Sequence, residues 1–210
     1  NLIVIDKQPH LQYLTLDEAE QHCIDGASIW HWASNCEDLE PDVVMAAAGD
    51  VPTQESLAAV EWLRHHVPEL KVRVVNVVDL MSLFIPQTHP HGMDQTRFVD
   101  LFTADKPVVF AFHGYQRAIH EIIHGRVNPE RFHVRGFNEQ GTTTTPFDMV
   151  VLNDMSRYHL AALALKRATR FRQRSDALIA ELENTIRKAV AYSREHFEDL
   201  PEIANWTWRG

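Results

Sequence analysis

His120-Glu121-Ile122-Ile123-His124 has the form H-E-x-x-H. On a helix, His at i and i+4 share a face and can both ligate zinc, and the intervening Glu can polarise a metal-bound water. Glu139, nineteen residues after His120, is a candidate third ligand. The pattern is short, and thirteen His in 210 residues make a chance match easy. The context also disagrees, because the helix follows a buried strand and Glu139 falls in a Gly/Thr loop. The competing reading is an amphipathic helix with Ile119, Ile122 and Ile123 in the core and His120 and His124 near the surface.

Four other places carry chemistry-bearing groups. His113-Gly114-Tyr115 follows a predicted parallel strand, where open α/β sheets place ligands and a helix start favours an anion. A satisfied core or interface His is the alternative. Gly49-Asp50 occupies the equivalent place after an earlier strand, but it is neither a dinucleotide fingerprint nor a phosphate loop. Thr142–Thr145, after Gly141, present hydroxyls and backbone N–H groups that suit a phosphate, or an ordered segment capping buried backbone. Lys7 is the one base in the first 63 residues, beside twelve acids. It follows the apolar run Leu2–Ile5 and precedes Pro9, so a fixed turn can aim its ammonium at a phosphate. A solvated Lys paired with Asp6 or a nearby acid is the alternative. No nucleophile elbow and no convincing carboxylate pair is present.

The elements that position these residues read as α/β. Leu2–Ile5 is a strand, followed by an irregular lead-in around Pro9. Thr15-Leu16-Asp17-Glu18 is a capping box that starts a short helix, ended by Gly26. Ser28–Ala33 reads as a strand with Trp30 and Trp32 on one face. Asp42–Ala48 is an almost wholly apolar strand, and Thr53 caps a helix through His66. Lys71–Val78 is a second strand, apolar on both faces, as a parallel sheet covered on both sides requires. Strand, helix and strand make a βαβ unit. Residues 86–96 are a Pro/His/Gly loop, and Gln95–Thr103 a short helix. Val108–Phe112 is a third buried strand, Tyr115–His124 a helix stopped by Gly125, and Phe132–Phe137 a weaker strand. Pro146-Phe147 anchors the threonine segment into the core. Ser156 caps a helix through Ala168. Ser175 caps a longer one through His196, with Leu178, Leu182, Ile186, Ala189 and Val190 facing inward.

Composition bounds the function. The 210 residues, with 45% hydrophobic and 23% charged side chains, suit one globular domain. Apolar runs such as Val43–Ala48 are far short of the ~18 residues a membrane span needs. The net charge of −9 disfavours nucleic acid and anionic membranes as partners. Cys23 and Cys36 are too few for a disulfide scaffold and suit a reducing cytoplasm. Residues 157–174 hold six bases and no acid. They fit a solvated helix end with its connector, or a contact with an acidic neighbouring domain or subunit. The sequence begins Asn1-Leu2-Ile3 with no basic leader, so the expectation is a piece of a longer polypeptide without a signal peptide.

One stretch carries a specific resemblance. Phe132-His133-Val134-Arg135-Gly136-Phe137-Asn138-Glu139-Gln140-Gly141, Thr142–Thr145 and Pro146-Phe147-Asp148-Met149-Val150-Val151-Leu152-Asn153-Asp154 closely resemble the C-terminal region of the phosphoketolases. Lys7-Gln8-Pro9, Pro41-Asp42-Val43-Val44 through Ala48-Gly49-Asp50, and Val75-Asn76-Val77-Val78-Asp79-Leu80 match in the same order.

The resemblance implies a transketolase-like C-terminal domain. Its fold would be three-layer α/β, a mostly parallel sheet with one antiparallel strand and helices on both faces, plus extra C-terminal helices. Residues 1–14 would be the tail of an inter-domain linker and residues 15–210 a single domain. The full enzyme would be a cytoplasmic homodimer using thiamine diphosphate and magnesium. It would cleave xylulose 5-phosphate, fructose 6-phosphate or both with inorganic phosphate, yielding acetyl phosphate and an aldose phosphate. Cofactor, metal and catalytic residues would lie in upstream domains, so none is expected in this chain. Lys7, in the family's Lys-Gln-Pro setting, would contact the substrate's phosphate. A free-standing anion- or nucleotide-binding module and a zinc hydrolase are the competing readings.

Overall fold

A computed structural model describes residues 9–37, 39–138, 141, 143–171 and 175–209. The expected strand at Leu2–Ile5, Lys7, Glu139, Thr142, Arg172 and Arg174 lie outside the described residues.

Helix α1 (Leu16–Asp25) starts on the expected capping box, with reciprocal bonds between Thr15 and Glu18, and Gly26 closes it at φ +72°. Strand β1 (Ala27–Ile29) is followed by β2 (Val43–Ala48), α2 (Asp50–His66) and β3 (Val72–Val77). Helix α3 (Gln95–Phe102), β4 (Val108–Phe112), α4 (Gln116–Ile122) and β5 (Phe132–Gly136) complete the sheet region. Four helices follow: α5 (Pro146–Leu152), α6 (Arg157–Arg167), α7 (Ser175–His196) and α8 (Pro201–Ala204).

The strands form one sheet in the order β1-β3-β2-β4-β5. All pairs are parallel except β1 with β3, which places Ala27 opposite Val77. Successive side chains of β2 enter opposite cores: Val43 and Met45 pack with α2 and α6, and Val44, Ala46 and Ala48 with α3 and α4. That two-sided cover is why the strand is an unbroken apolar run.

Several boundaries differ from the sequence reading. The strand expected over Ser28–Ala33 ends at Ile29. Trp30 is buried in the larger core, and the chain turns there, with Ala33 and Ser34 N–H donating to the Trp30 carbonyl. Polar side chains finish the ladder: Ser34 Oγ accepts from Val74 N–H and Asn35 Oδ1 from Val72 N–H. Helix α2 begins three residues before Thr53, capped by Gly49. Helix α4 ends at Ile122, before His124 and Gly125. A short helix, α5, occupies Pro146–Leu152, where no helix was expected. Its cap is Thr145, whose hydroxyl accepts from Asp148 N–H. Ser175 is the first residue of α7 rather than its cap, and Ile179, Leu182, Ala189 and Ser193 are its buried face. Leu178, Ile186 and Val190 are half-buried.

Helices α2 and α6 are joined by a buried ion pair. Arg157 Nη2 donates to Glu55 Oε1 at 2.6 Å, and Arg157 Nε and backbone N–H both donate to Oε2. The segment after α8 lies back over α2: Trp206 Nε1 and Arg209 N–H each donate to one oxygen of Glu61, and Trp208 meets Trp32 edge-on.

Candidate functional site

The carboxyl ends of β2, β3 and β4 meet the start of α2, and three singled-out residues converge there. Gly49 turns the chain at φ +101°. A Cβ on it would stand 2.6 Å from His113 Cβ, so only glycine admits His113 so close. Asp50 then opens α2. Its Oδ1 accepts from Val51 N–H and from His113 Nδ1, both at 2.8 Å. A carboxylate has no proton to give, so His113 carries its proton on Nδ1. Asp50 Oδ2 lies 3.4 Å from His10 Nε2. His10 belongs to the irregular segment that leads into α1.

A buried polar chain holds this corner from below. Ser28 hydroxyl bonds His22 Nδ1 at 2.7 Å, and His22 Nε2 bonds Asn76 Oδ1 at 2.8 Å. Asn76 Nδ2 donates to Thr53 Oγ1, which donates to the Gly49 carbonyl at 2.6 Å. The chain explains why Thr53 lies inside α2: it ties β3 to the helix start. A fully satisfied network of this kind fixes one geometry.

A cleft of about 320 Å³ opens beside the corner, lined by His10, Tyr13, Trp30, Asp50, Thr53 and Asn76 among others. Tyr13 stacks on Trp32 and tilts against Trp30. Burial pushes its phenol up to about 12, against the pull of Arg157. The phenol therefore stays protonated at ordinary pH. The Asp50 carboxylate already engages the helix start, where an incoming anion would otherwise bind.

The H-E-x-x-H segment does not form a ligand face. His124 lies beyond the helix end, His120 and His124 are both exposed, and Ile119, Ile122 and Ile123 are buried. Glu139, the candidate third ligand, lies outside the described residues. Among the described residues, no group of three or more His, Cys, Asp or Glu is disposed to hold a metal ion. At the Asp50 corner the groups face one another as donors and acceptors, not as lone pairs converging on a centre. The donor set therefore does not fit magnesium or a magnesium-bound diphosphate. In the threonine segment, Thr144 hydroxyl donates to Asp148 Oδ2 and Thr145 caps α5, so both hydroxyls are engaged in structure. Phe147 is buried as the anchor.

The basic run is partly spent within the chain. Arg157 pairs with Glu55, Arg170 lies 3.9 Å from Asp42, and Lys166 lies 3.9 Å from Glu183. Two of those acids belong to the acidic first third of the sequence. Sequence reasoning missed the Glu55–Arg157 pair and the His22–Asn76–Thr53 chain. The surplus of acids early and bases late was the available signal for the first. The partners in the second are far apart in sequence and leave none.

The XFP C-terminal domain family model matches residues 7–208. The chain is 56% identical over 210 residues to a probable phosphoketolase of Rhodopseudomonas palustris (strain BisB5), covering 100% of this chain and 27% of that protein. It is 52% identical over 208 residues to a probable phosphoketolase of Brucella abortus (strain 2308), covering 99% and 26%. The chain thus spans about a quarter of the length of these curated relatives. A crystal structure of Pichia stipitis transketolase in complex with sedoheptulose 7-phosphate superposes with a TM-score of 0.51 at 13% identity, covering 73% of this chain and 19% of that one. That likeness is one of fold, and the mostly parallel sheet with its single antiparallel strand is transketolase C-terminal-like. The chain belongs to the XFP C-terminal domain family, the C-terminal domains of phosphoketolases.

Proposed function

We propose that this chain is the largely non-catalytic assembly domain of a phosphoketolase. The carrying observation is 56% identity along its whole length to a protein of which it is 27%. The remaining length leaves room for upstream domains of the same polypeptide. Those domains would hold thiamine diphosphate and magnesium. Residues 1–14 are the end of the linker into this domain. The full polypeptide is a cytoplasmic homodimeric lyase. It converts xylulose 5-phosphate, fructose 6-phosphate or both, with inorganic phosphate, into acetyl phosphate and an aldose phosphate.

Within this chain, Lys7 is the residue that contacts the sugar phosphate. Its ammonium is a point charge suited to a phosphate, in an otherwise acidic stretch. Acetyl phosphate formation from xylulose 5-phosphate separates these claims from their alternatives. The full polypeptide is expected to be active and this chain alone inactive. Activity of this chain alone would overturn the assembly-domain reading. In the full enzyme, Lys7→Ala is expected to raise KM for the sugar phosphate with thiamine diphosphate binding intact. An unchanged KM would remove Lys7 from the site.

A further inference from the structure

Helix α1 turns its apolar residues outward. Of its ten residues only His22 is buried, and its hold on the sheet is polar, with Nε2 bonding Asn76 and Nδ1 the Ser28 hydroxyl. Ala19 and Asp25, half-buried, flank it on the inner side. At about 100° per residue, Leu16, Cys23 and Ile24 fall within an arc of roughly 100° on the side away from His22. Leu16 is 83% and Ile24 73% exposed, and Cys23 is exposed beside them. Val78, 49% exposed, extends this surface past the helix end, because its N–H donates to the Gly26 carbonyl. A surface helix normally gives its apolar stripe to the core and its polar side to water. Here the inner side is polar and the outer side carries the stripe. A helix of this length is marginal on its own, so packing of the stripe is the contribution still to be made.

We infer that the outward face of α1, formed by Leu16, Cys23 and Ile24, is the surface on which the preceding domains of the same polypeptide dock. The inference rests on the reading of this chain as the last domain of a longer phosphoketolase. Two observations select that occupant. The matching family model is a C-terminal domain, and the chain covers 27% of a relative to which it is 56% identical, so most of such a polypeptide precedes it. The chain then enters along residues 9–15, fixed by Tyr13 stacking on Trp32, and passes directly into α1. Whatever precedes is therefore tethered within a few residues of this face. Glu20 stands within the arc and Asp17 at its edge, both exposed. The surface that fits is apolar, with Lys or Arg placed opposite those carboxylates.

The test is thiol labelling of the full-length enzyme with a maleimide, read peptide by peptide by mass spectrometry. The native Cys23, and Leu16→Cys in a Cys23→Ser background, are each expected to react at least about 10-fold more slowly in the native enzyme than after unfolding in urea. Both positions are open in this domain by itself, so native rates close to the unfolded ones would overturn the inference. Photo-cross-linking then identifies the cover. With Ile24→p-benzoylphenylalanine, the adduct is expected at the mass of one polypeptide, joining α1 to a peptide from the preceding domains. An adduct at twice that mass would put a second copy on the face, and no adduct would leave the face open; either result would overturn the inference. Neither measurement needs turnover. A full polypeptide that forms no acetyl phosphate would thus break the phosphoketolase reading while the docking face is still decided.

Discussion

Helix α2 carries two carboxylates, five residues apart, that each hold a nitrogen-bearing side chain, in opposite regimes. Asp50 sits at the helix start with its side chain 34% exposed, beside two imidazoles. Glu55 is 5% exposed and takes three hydrogen bonds from Arg157. Water screens the first pair, so its worth is small and it acts as a locator. The second is almost wholly withdrawn from water, so each charge depends on the other and the pair acts as a bolt between α2 and α6. Phe147 and Trp206 lie within 6 Å of the Arg157 guanidinium and close the site further. The same chemistry thus serves precision at one end of a helix and integrity in its middle, and burial decides which.

Breaking the buried pair is the most severe test of that contrast. Glu55→Gln leaves a buried guanidinium uncompensated and is expected to cost about 3–5 kcal/mol in urea unfolding. Replacing both partners with apolar residues, Glu55→Leu with Arg157→Met, is expected to recover most of the loss. It will not recover all of it, because the Arg157 backbone N–H also donates to Glu55 and would be orphaned. A double variant as unstable as Glu55→Gln would show that the pair matters for shape rather than charge. Phe147→Ala, on the edge of the same site, is expected to cost about 3 kcal/mol, the low end for a buried Phe. The adjoining cleft of about 280 Å³ gives the surroundings room to relax.

His133 offers an intermediate case on β5. Burial lowers its pKa to about 4, with Arg167 and Arg135 adding repulsion. The unfolded chain, with the ordinary value of 6.5, binds more protons between those limits. Stability therefore falls as pH drops from about 6.5 toward 4. His133→Gln is expected to flatten that part of the pH–stability curve, and an NMR titration should place the native midpoint near 4. The effect should be smaller than for Glu55, because the ring is only half-buried and partly screened. A midpoint near 6.5 would refute it. Smallest of all, Asp50→Asn should change stability by less than about 1 kcal/mol, for its pairs are solvent-screened. A loss comparable to Glu55→Gln would erase the distinction between the two carboxylates.

Much of this was legible beforehand because it is local. The Thr15/Glu18 box, the apolar run of β2 and the strand β4 each follow from neighbours in sequence, and all appear where expected. The candidate corner was half legible: Gly49-Asp50 and His113 were marked by their places after strands, but not as partners of each other. Where reading failed, a distant contact outweighed a local signal. Ser28–Ala33 alternates like a strand, yet burial of Trp30 and the Ser34 and Asn35 side chains turn it at Ile29. Thr53 looks like a cap, yet it is drawn inside α2 by Asn76, twenty-three residues away.

By itself, then, the sequence determined the α/β order, the two-sided apolar sheet and, through the Gly/Thr segment, the family. The first two depend on period, capping and composition, all of which act within a few residues, while the family rests on the resemblance of that segment's residues to those of the phosphoketolases. Only the tertiary structure decided that Glu55 bonds Arg157, 102 residues on, and that Asp50 bonds His113, 63 residues on. It also decided that the H-E-x-x-H helix ends before its second histidine. Such pairings are set by parallel strand order and by which faces are left to bury. That is a property of the packed sheet, and no stretch of residues carries it alone.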